Sequence, residues 1–273
     1  MGLLPTCRPR SLAPTSSVDS LRGRSITVFI PAYNEARNLE ASVLDVLEAC
    51  RDFDDYEVLI VDDGSSDGTA EIADALSASY AHVRTLHHTQ NRGFGAAYGT
   101  ALAEALMAYF TFVPGDHEIA AESVIAIFAE VGNADIVVPY HGTPWKRPLF
   151  RRALTWIATT QVNLLFGWRL KYYQGPAVYP TELARLLPRT VEGFYFATEM
   201  LVHALAAGYS WVEVGLTHQE RSYGRSKAVA WSNVLNAQWT IARLWWEIRV
   251  RRQSQVPSAV ALAPESVLEG AQP

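Results

Sequence analysis

Two adjacent carboxylates, Asp62 and Asp63, stand where an apolar run stops. The four residues before them, Val58-Leu59-Ile60-Val61, are mostly β-branched and include no polar member. That is the pattern of a strand covered on both faces of a parallel sheet. Gly64, Ser65, Ser66 and Gly68 follow as a turn, with Asp67 placed to cap a helix opening at Thr69. Ligands of open α/β sheets collect at the carboxyl ends of the strands. Two acids side by side there are costly unless a sugar hydroxyl, a base N–H or a metal ion uses them. A solvated strand-to-helix turn is the ordinary alternative.

A second strand end lies thirty residues earlier. Ile26 to Ile30 is another buried-strand run, followed by Pro31-Ala32-Tyr33-Asn34-Glu35 and a helical stretch from Ala36 to Cys50. Together, IPAYNE and VDDGSSDGT resemble the amino-terminal signature of inverting nucleotide-sugar glycosyltransferases of family 2. The nearest branch is the polyprenyl-phosphate, dolichyl-phosphate mannose synthase-like group. The resemblance implies an α/β fold of the GT-A, Rossmann-like type, a mostly parallel sheet flanked by helices. It also implies that Pro31, Tyr33 and Glu35 line a nucleoside pocket, with Asp63 on the base or ribose and Asp62 supporting it.

Further blocks keep the family's order. A short strand near His82 to Leu86 precedes NRGFGAAYGTAL, whose small residues open a helix through Met107 and let backbone amides approach an anion. Tyr109 to Val113 reads as the fourth strand and ends in Pro114-Gly115-Asp116-His117-Glu118. Relatives carry an Asp-x-Asp signature here that holds a divalent cation against the nucleotide diphosphate. Pro114 replaces the first acid, Asp116 matches the second, and Glu118 matches a position that often reaches the metal. The cation implied is Mg²⁺ or Mn²⁺, which accept carboxylates and fill their shell with phosphate oxygens and water. His117 reads as a plain loop histidine. A helix from about Ala120 to Val131 and a strand from Asp135 to Tyr140 complete this half.

From His141 the texture changes. Lys146, Arg147, Arg151 and Arg152 lead into an apolar helix, Ala153 to Gly167. This is either a core helix with a solvated basic start or an acceptor platform, with Arg147 or Arg151 on a lipid phosphate. Lys171 to Pro176 resembles the family's loop beneath the donor sugar, although Gln174 departs from the commoner residue. Glu192 to Glu199 opens a helix running to about Ala207, and the strand Trp211 to Leu216 follows. The pattern Arg221-x-x-Gly-x-Ser-Lys227 is a further match, in which Arg221 and Lys227 bring positive charge to the phosphates. A polyprenyl-phosphate acceptor is already anionic and needs no general base. A soluble hydroxyl acceptor would need one, and Glu199 is the candidate. A nucleotide-sugar-binding module without catalysis is the third reading, prompted by Pro114.

The last helix, about Ala228 to Arg252, carries Trp231, Trp239, Trp245 and Trp246 and ends in Arg249, Arg251 and Arg252. Val234, Leu235, Trp239, Ile241, Leu244, Trp245, Trp246 and Ile248 cover more than half its circumference. That is the make-up of an amphipathic helix lying at a membrane interface, with packing against the domain or a dimer seam as alternatives. The domain reading is a disordered arm over 1–24, a catalytic domain over 25–227 divided near 140, the interfacial helix over 228–252 and a disordered tail over 253–273. The 273 residues are 49% hydrophobic and 19% charged, enough for one core. A net charge of −5 argues against a nucleic-acid partner. Cys7 and Cys50 suggest no disulfide framework and point to a reducing compartment. With no apolar run long enough to span a bilayer and no signal sequence, the expected location is the cytoplasm, peripheral at the cytoplasmic face of a membrane.

Overall fold

The computed structural model describes residues 24–142, 149–191, 195–217 and 231–250. The arm (apart from Arg24) and the tail lie outside them, as do Arg147, Arg221 and Lys227. Five strands form the main sheet: β1 (Ser25–Ala32), β2 (Asp55–Asp62), β3 (Val83–His87), β4 (Tyr109–Phe112) and the short β6 (Tyr179–Pro180). Their spatial order is β3-β2-β1-β4-β6, with only β6 antiparallel to its neighbour. β5 (Ile136–His141) and β7 (Trp211–Leu216) pair in parallel as a separate two-stranded sheet. The two sheets are joined through a bridge between Val137 and Val178. The expected fold class is therefore observed, while β5 does not extend the main sheet and β6 was not expected.

Alternation along the central strands divides the core into two layers. Val28, Ile30, Val58 and Ile60 face α1 (Leu39–Ala49), α2 (Thr69–Ser79) and α4 (Ala121–Ala129) through Leu39, Val43, Leu76 and Ile127. Phe29, Leu59 and Phe110 face the other way, toward Tyr98 of α3 (Phe94–Glu104) and Phe196 and Met200 of α7 (Phe196–Ala206). Val162 of α5 (Leu149–Phe166) and Ile241 and Leu244 of α8 (Trp231–Trp245) join this second layer, so the two halves of the chain share one core. Each fully buried apolar side chain here is worth about 1.5–3 kcal/mol.

Helix ends follow local hydrogen bonding. α3 stops at Glu104 rather than Met107 because the Leu106 amide donates to Glu57 Oε1 (2.7 Å) and the Met107 amide to Thr27 Oγ1 (3.2 Å). Those bonds turn the chain into β4. α5 begins at Leu149, four residues before the expected start. α6 (Thr181–Leu186) was not expected. α8 is continued by a five-residue π turn, Trp246–Val250. Among the described residues, no helix is long and apolar enough to cross a membrane.

Candidate active site

The chain runs from β1 through β2 to β3 on one side and returns to β4 on the other. The order therefore reverses between β1 and β4, and the crevice at such a reversal is where open α/β sheets bind ligands. Register brings the strand ends level, with Ala32 opposite Asp62 and Phe29 opposite Phe112. Pro31, Tyr33, Glu35, Asp62, Asp63 and Asp116 thus gather at one edge. Gly115 is pressed into the reversal, where a Cβ would meet the Pro31 carbonyl oxygen at 2.7 Å.

The loops after β1 and β2 are latched together. The Asn34 amide donates to Ser65 Oγ (2.9 Å), and the Ser66 amide to Asn34 Oδ1 (2.9 Å). The Glu35 amide donates to Thr69 Oγ1 (2.9 Å) and the Ala36 amide to Asp67 Oδ2 (3.3 Å). Asn34 achieves this with φ 57, a region its short amide tolerates. Gly68, at φ 88, occupies the cap position of α2, while Asp67 accepts from the Thr69 amide and hydroxyl. Burial works to raise the Asp67 carboxyl, but the hydrogen bonds from Thr69 and Ala36 outweigh it and hold the group below its ordinary value. Tyr33 is exposed at the mouth of this latched pair.

Both carboxylates that ended the sequence motif are nearly covered, Asp62 at 3% and Asp63 at 5% exposure. Asp62 accepts from the Ser65 amide (3.1 Å) and lies 3.2 Å from His87 Nδ1. Asp63 meets His88 Nδ1 at 2.6 Å and accepts from the Arg92 and Gly93 amides at 2.9 and 2.7 Å. His88 Nε2 in turn lies 3.0 Å from Thr100 Oγ1 on α3. Asp63 therefore fastens the 88–93 loop and the start of α3 onto β2. Gly64 makes room for that loop, since a Cβ there would sit 2.6 Å from the Gln90 carbonyl carbon. His87 and His88 were not singled out in the sequence; the only signal was their adjacency at a strand end.

Beyond β4, the Glu118 amide donates to Asp116 Oδ1 (3.2 Å). His117 is not a plain loop residue. It has φ 56, and its Nε2 lies 2.9 Å from Asp45 Oδ2 on α1. Among the described residues there is no group of three His, Cys, Asp or Glu arranged around one metal position. Asp116 and Glu118 supply two hard oxygen donors. This suits a Mg²⁺ or Mn²⁺ ion that takes its remaining ligands from a diphosphate and water.

In the second half of the chain, Lys171 Nζ lies 3.9 Å from the Tyr140 ring centre, and His141 packs on Tyr172 at 4.4 Å. Tyr173 donates to Asn163 Oδ1 (2.7 Å), while burial raises its phenol well above the ordinary value. A small crevice opens beside this loop, lined by Thr155, Thr159 and Val162 of α5, Gln174, Thr198 and Ile241. Arg151 lies on α5, whereas Arg147, Arg221 and Lys227 fall outside the described residues.

Glu199 departs from its expected option as a base. It is 1% exposed and accepts from the Thr190 hydroxyl (2.6 Å), the Thr190 amide (2.8 Å), the Val191 amide (3.2 Å) and Arg243. That pairing has no local sequence signal, because Arg243 lies forty-four residues away on α8.

Residues 27–186 match the family described as Glycosyl transferase family 2. This chain is a family 2 glycosyltransferase. It is 31% identical to polyprenol monophosphomannose synthase from Mycolicibacterium smegmatis, over 82% of this chain and 87% of that protein. It is 28% identical to undecaprenyl-phosphate mannosyltransferase from Micrococcus luteus, over 83% and 98%. Its fold matches glucosyl-3-phosphoglycerate synthase from Mycobacterium tuberculosis in complex with UDP, at 19% identity, a TM-score of 0.64 and 86% coverage of each chain. The same enzyme in complex with Mn²⁺, UDP-glucose and phosphoglyceric acid matches with a TM-score of 0.61. The two solved structures share the fold of this glycosyltransferase.

Proposed function

We propose that this glycosyltransferase moves a sugar from a UDP- or GDP-linked donor, with inversion, onto a polyprenyl phosphate. The observation that carries the reading is the convergence of Pro31, Tyr33, Asp62, Asp63 and Asp116 at the β1–β4 reversal. It occurs in a chain whose relatives are named for mannosyl transfer to polyprenyl phosphates. The latched loops hold the nucleoside between Tyr33 and the Asp63 anchor, with Glu35 and Asp62 behind them. Asp116 and Glu118 would hold a divalent cation, which supplies charge neutralisation to the departing diphosphate.

An acceptor phosphate oxygen attacks the anomeric carbon from the face opposite the nucleotide. The bond from that carbon to the diphosphate oxygen breaks, and the nucleoside diphosphate leaves. The acceptor oxygen is already an anion, so no side chain has to remove a proton. The chain's own contribution is alignment and charge stabilisation. Arg221 and Lys227 would close on the phosphates, and Arg147 or Arg151 would hold the acceptor phosphate. The full commitment of Glu199 to Thr190, Val191 and Arg243 favours this reading over a hydroxyl acceptor that needs a base. We place the enzyme peripherally at the cytoplasmic face of a membrane. Trp239 and Trp246 are 64% and 51% exposed near its C-terminal end and would make the contact.

The test is incubation of the purified full chain and polyprenyl phosphate with a panel of nucleotide sugars, read by mass spectrometry. A glycosyl-phosphoprenol that disappears with Asp116→Asn is the expected product. Transfer only to soluble hydroxyl acceptors would replace this reading with the second one. Binding of nucleotide sugars without turnover would leave a binding module.

A further inference from the structure

Among the described residues, only Asn34 and His117 are non-glycine residues with positive φ. Asn34 belongs to the latch between the first two loops and is of a type that tolerates the left-handed region. Histidine, too, is among the residues that enter this region more often than most, and here its side chain is tied down. The tie is Asp45, whose Oδ2 lies 2.9 Å from His117 Nε2. Both side chains are about three-quarters covered. Asp45 sits on α1 between Val43 and Val46, which are fully buried in the core, so its position is fixed. His117 lies between the two carboxylates Asp116 and Glu118, whose own link is the Glu118 amide donating to Asp116 Oδ1.

We propose that His117 is a positioning residue: pinned on Asp45, it holds the backbone turn that presents Asp116 and Glu118 together to the divalent cation of the nucleotide diphosphate. The inference rests on the metal reading given above. Two protein carboxylates leave most of a six-ligand shell to phosphate and water. With so few protein donors, affinity depends on how well that pair is held before the ion arrives, and partners behind the ligands typically change metal affinity roughly 10–100-fold. A tether from a core helix to the residue between both donors meets that need, and α1 is also the helix that follows the Tyr33 loop.

The experiment is titration of Mn²⁺ into the full chain, followed by electron paramagnetic resonance, with UDP and with GDP present. Metal-free nucleotide affinity is measured alongside by calorimetry. Wild type should bind Mn²⁺ with one of the nucleotides. His117→Ala and Asp45→Leu should weaken Mn²⁺ binding about tenfold or more, with metal-free nucleotide affinity unchanged. Asp45→Asn retains an oxygen that accepts from Nε2–H, so it should keep most of the affinity. If Asp45→Asn loses as much as Asp45→Leu, the effect is remote charge and the tether is overturned. Equal Mn²⁺ affinity in all variants, or a matching loss of metal-free nucleotide binding, also overturns it. If wild type takes no Mn²⁺ with either nucleotide, the metal reading falls and this inference falls with it.

Discussion

Arg243 Nη2 donates to Glu199 Oε1 at 2.5 Å across the seam between α8 and α7. Glu199 is almost fully buried, and its other bonds fasten the segment at Thr190 and Val191. Arg243 also approaches Glu247 at 3.9 Å, one turn further along the same helix region. The pair thus clamps the last helix onto the catalytic body. Arg243→Leu should leave Glu199 buried without its counter-charge and cost about 3 kcal/mol, measured by urea unfolding. Glu199→Gln, assayed at a temperature where it remains folded, should keep turnover within a few-fold. A thousandfold loss in that folded variant would return Glu199 to the role of base.

Gly115 and Gly99 form a contrasting pair. A Cβ at Gly115 would meet the Pro31 carbonyl oxygen at 2.7 Å, and a backbone oxygen cannot rotate aside. Gly115→Ala should therefore push β4 away from β1 at the reversal, costing about 1–3 kcal/mol and raising KM for the donor. At Gly99, within α3, nothing lies within 4 Å of the added carbon. Gly99→Ala should be neutral or stabilise by up to about 1 kcal/mol. Thermal unfolding of both variants with donor kinetics checks the contrast.

His203 gives the clamp a pH dependence. Burial lowers its pKa and Arg243 adds to the effect, against the opposing pull of Glu199 and Glu247. A depressed histidine is neutral when folded, so the unfolded chain binds more protons in acid. Stability should be complete above the unfolded value of about 6.5 and fall as pH drops from there toward the folded pKa. His87 acts in the opposite direction. Its hydrogen bonds with Asp74 and Asp62 raise its pKa despite the opposing effect of burial. Its contribution is present below the unfolded value and lost as pH rises through the folded one. Urea midpoints between pH 5 and 8 should show His203→Gln flattening the acid-side loss and His87→Gln steepening it.

The strand ends were legible because a strand buried on both faces leaves an unbroken apolar run, as at Val58 to Val61, and its first polar residue marks the edge. Which sheet a strand joins is not written in such a run. Ile136 to Val138 would be equally apolar in either sheet, and β5 pairs with β7 instead of β4. β6 has two residues, too few for a period. The histidine partners of Asp62 and Asp63 lie 25 residues away, a distance that only the β2–β3 pairing closes. On the last helix, periodicity located an apolar surface broader than a half-circle. It could not divide that surface between the protein and its surroundings.

That division leads to the membrane prediction. Ile241 and Leu244 are buried in the core, whereas Trp239 and Trp246 stand outward, and Arg249 reaches back to the Phe166 carbonyl. On the neighbouring α5, Trp156 and Leu164 are also exposed. Removing the whole helix would strip core residues, so point substitutions separate docking from folding. Trp239→Ser with Trp246→Ser should leave thermal stability nearly unchanged and reduce co-sedimentation with anionic liposomes several-fold. Leu244→Ala should do the reverse, costing about 2–5 kcal/mol of stability while the folded fraction still binds. Arginine near an anionic surface contributes about 1 kcal/mol each, so wild-type binding should also weaken with added salt. If the double tryptophan variant binds liposomes as well as wild type, the outward face of α8 is not the contact, and the lipid-acceptor reading loses that support.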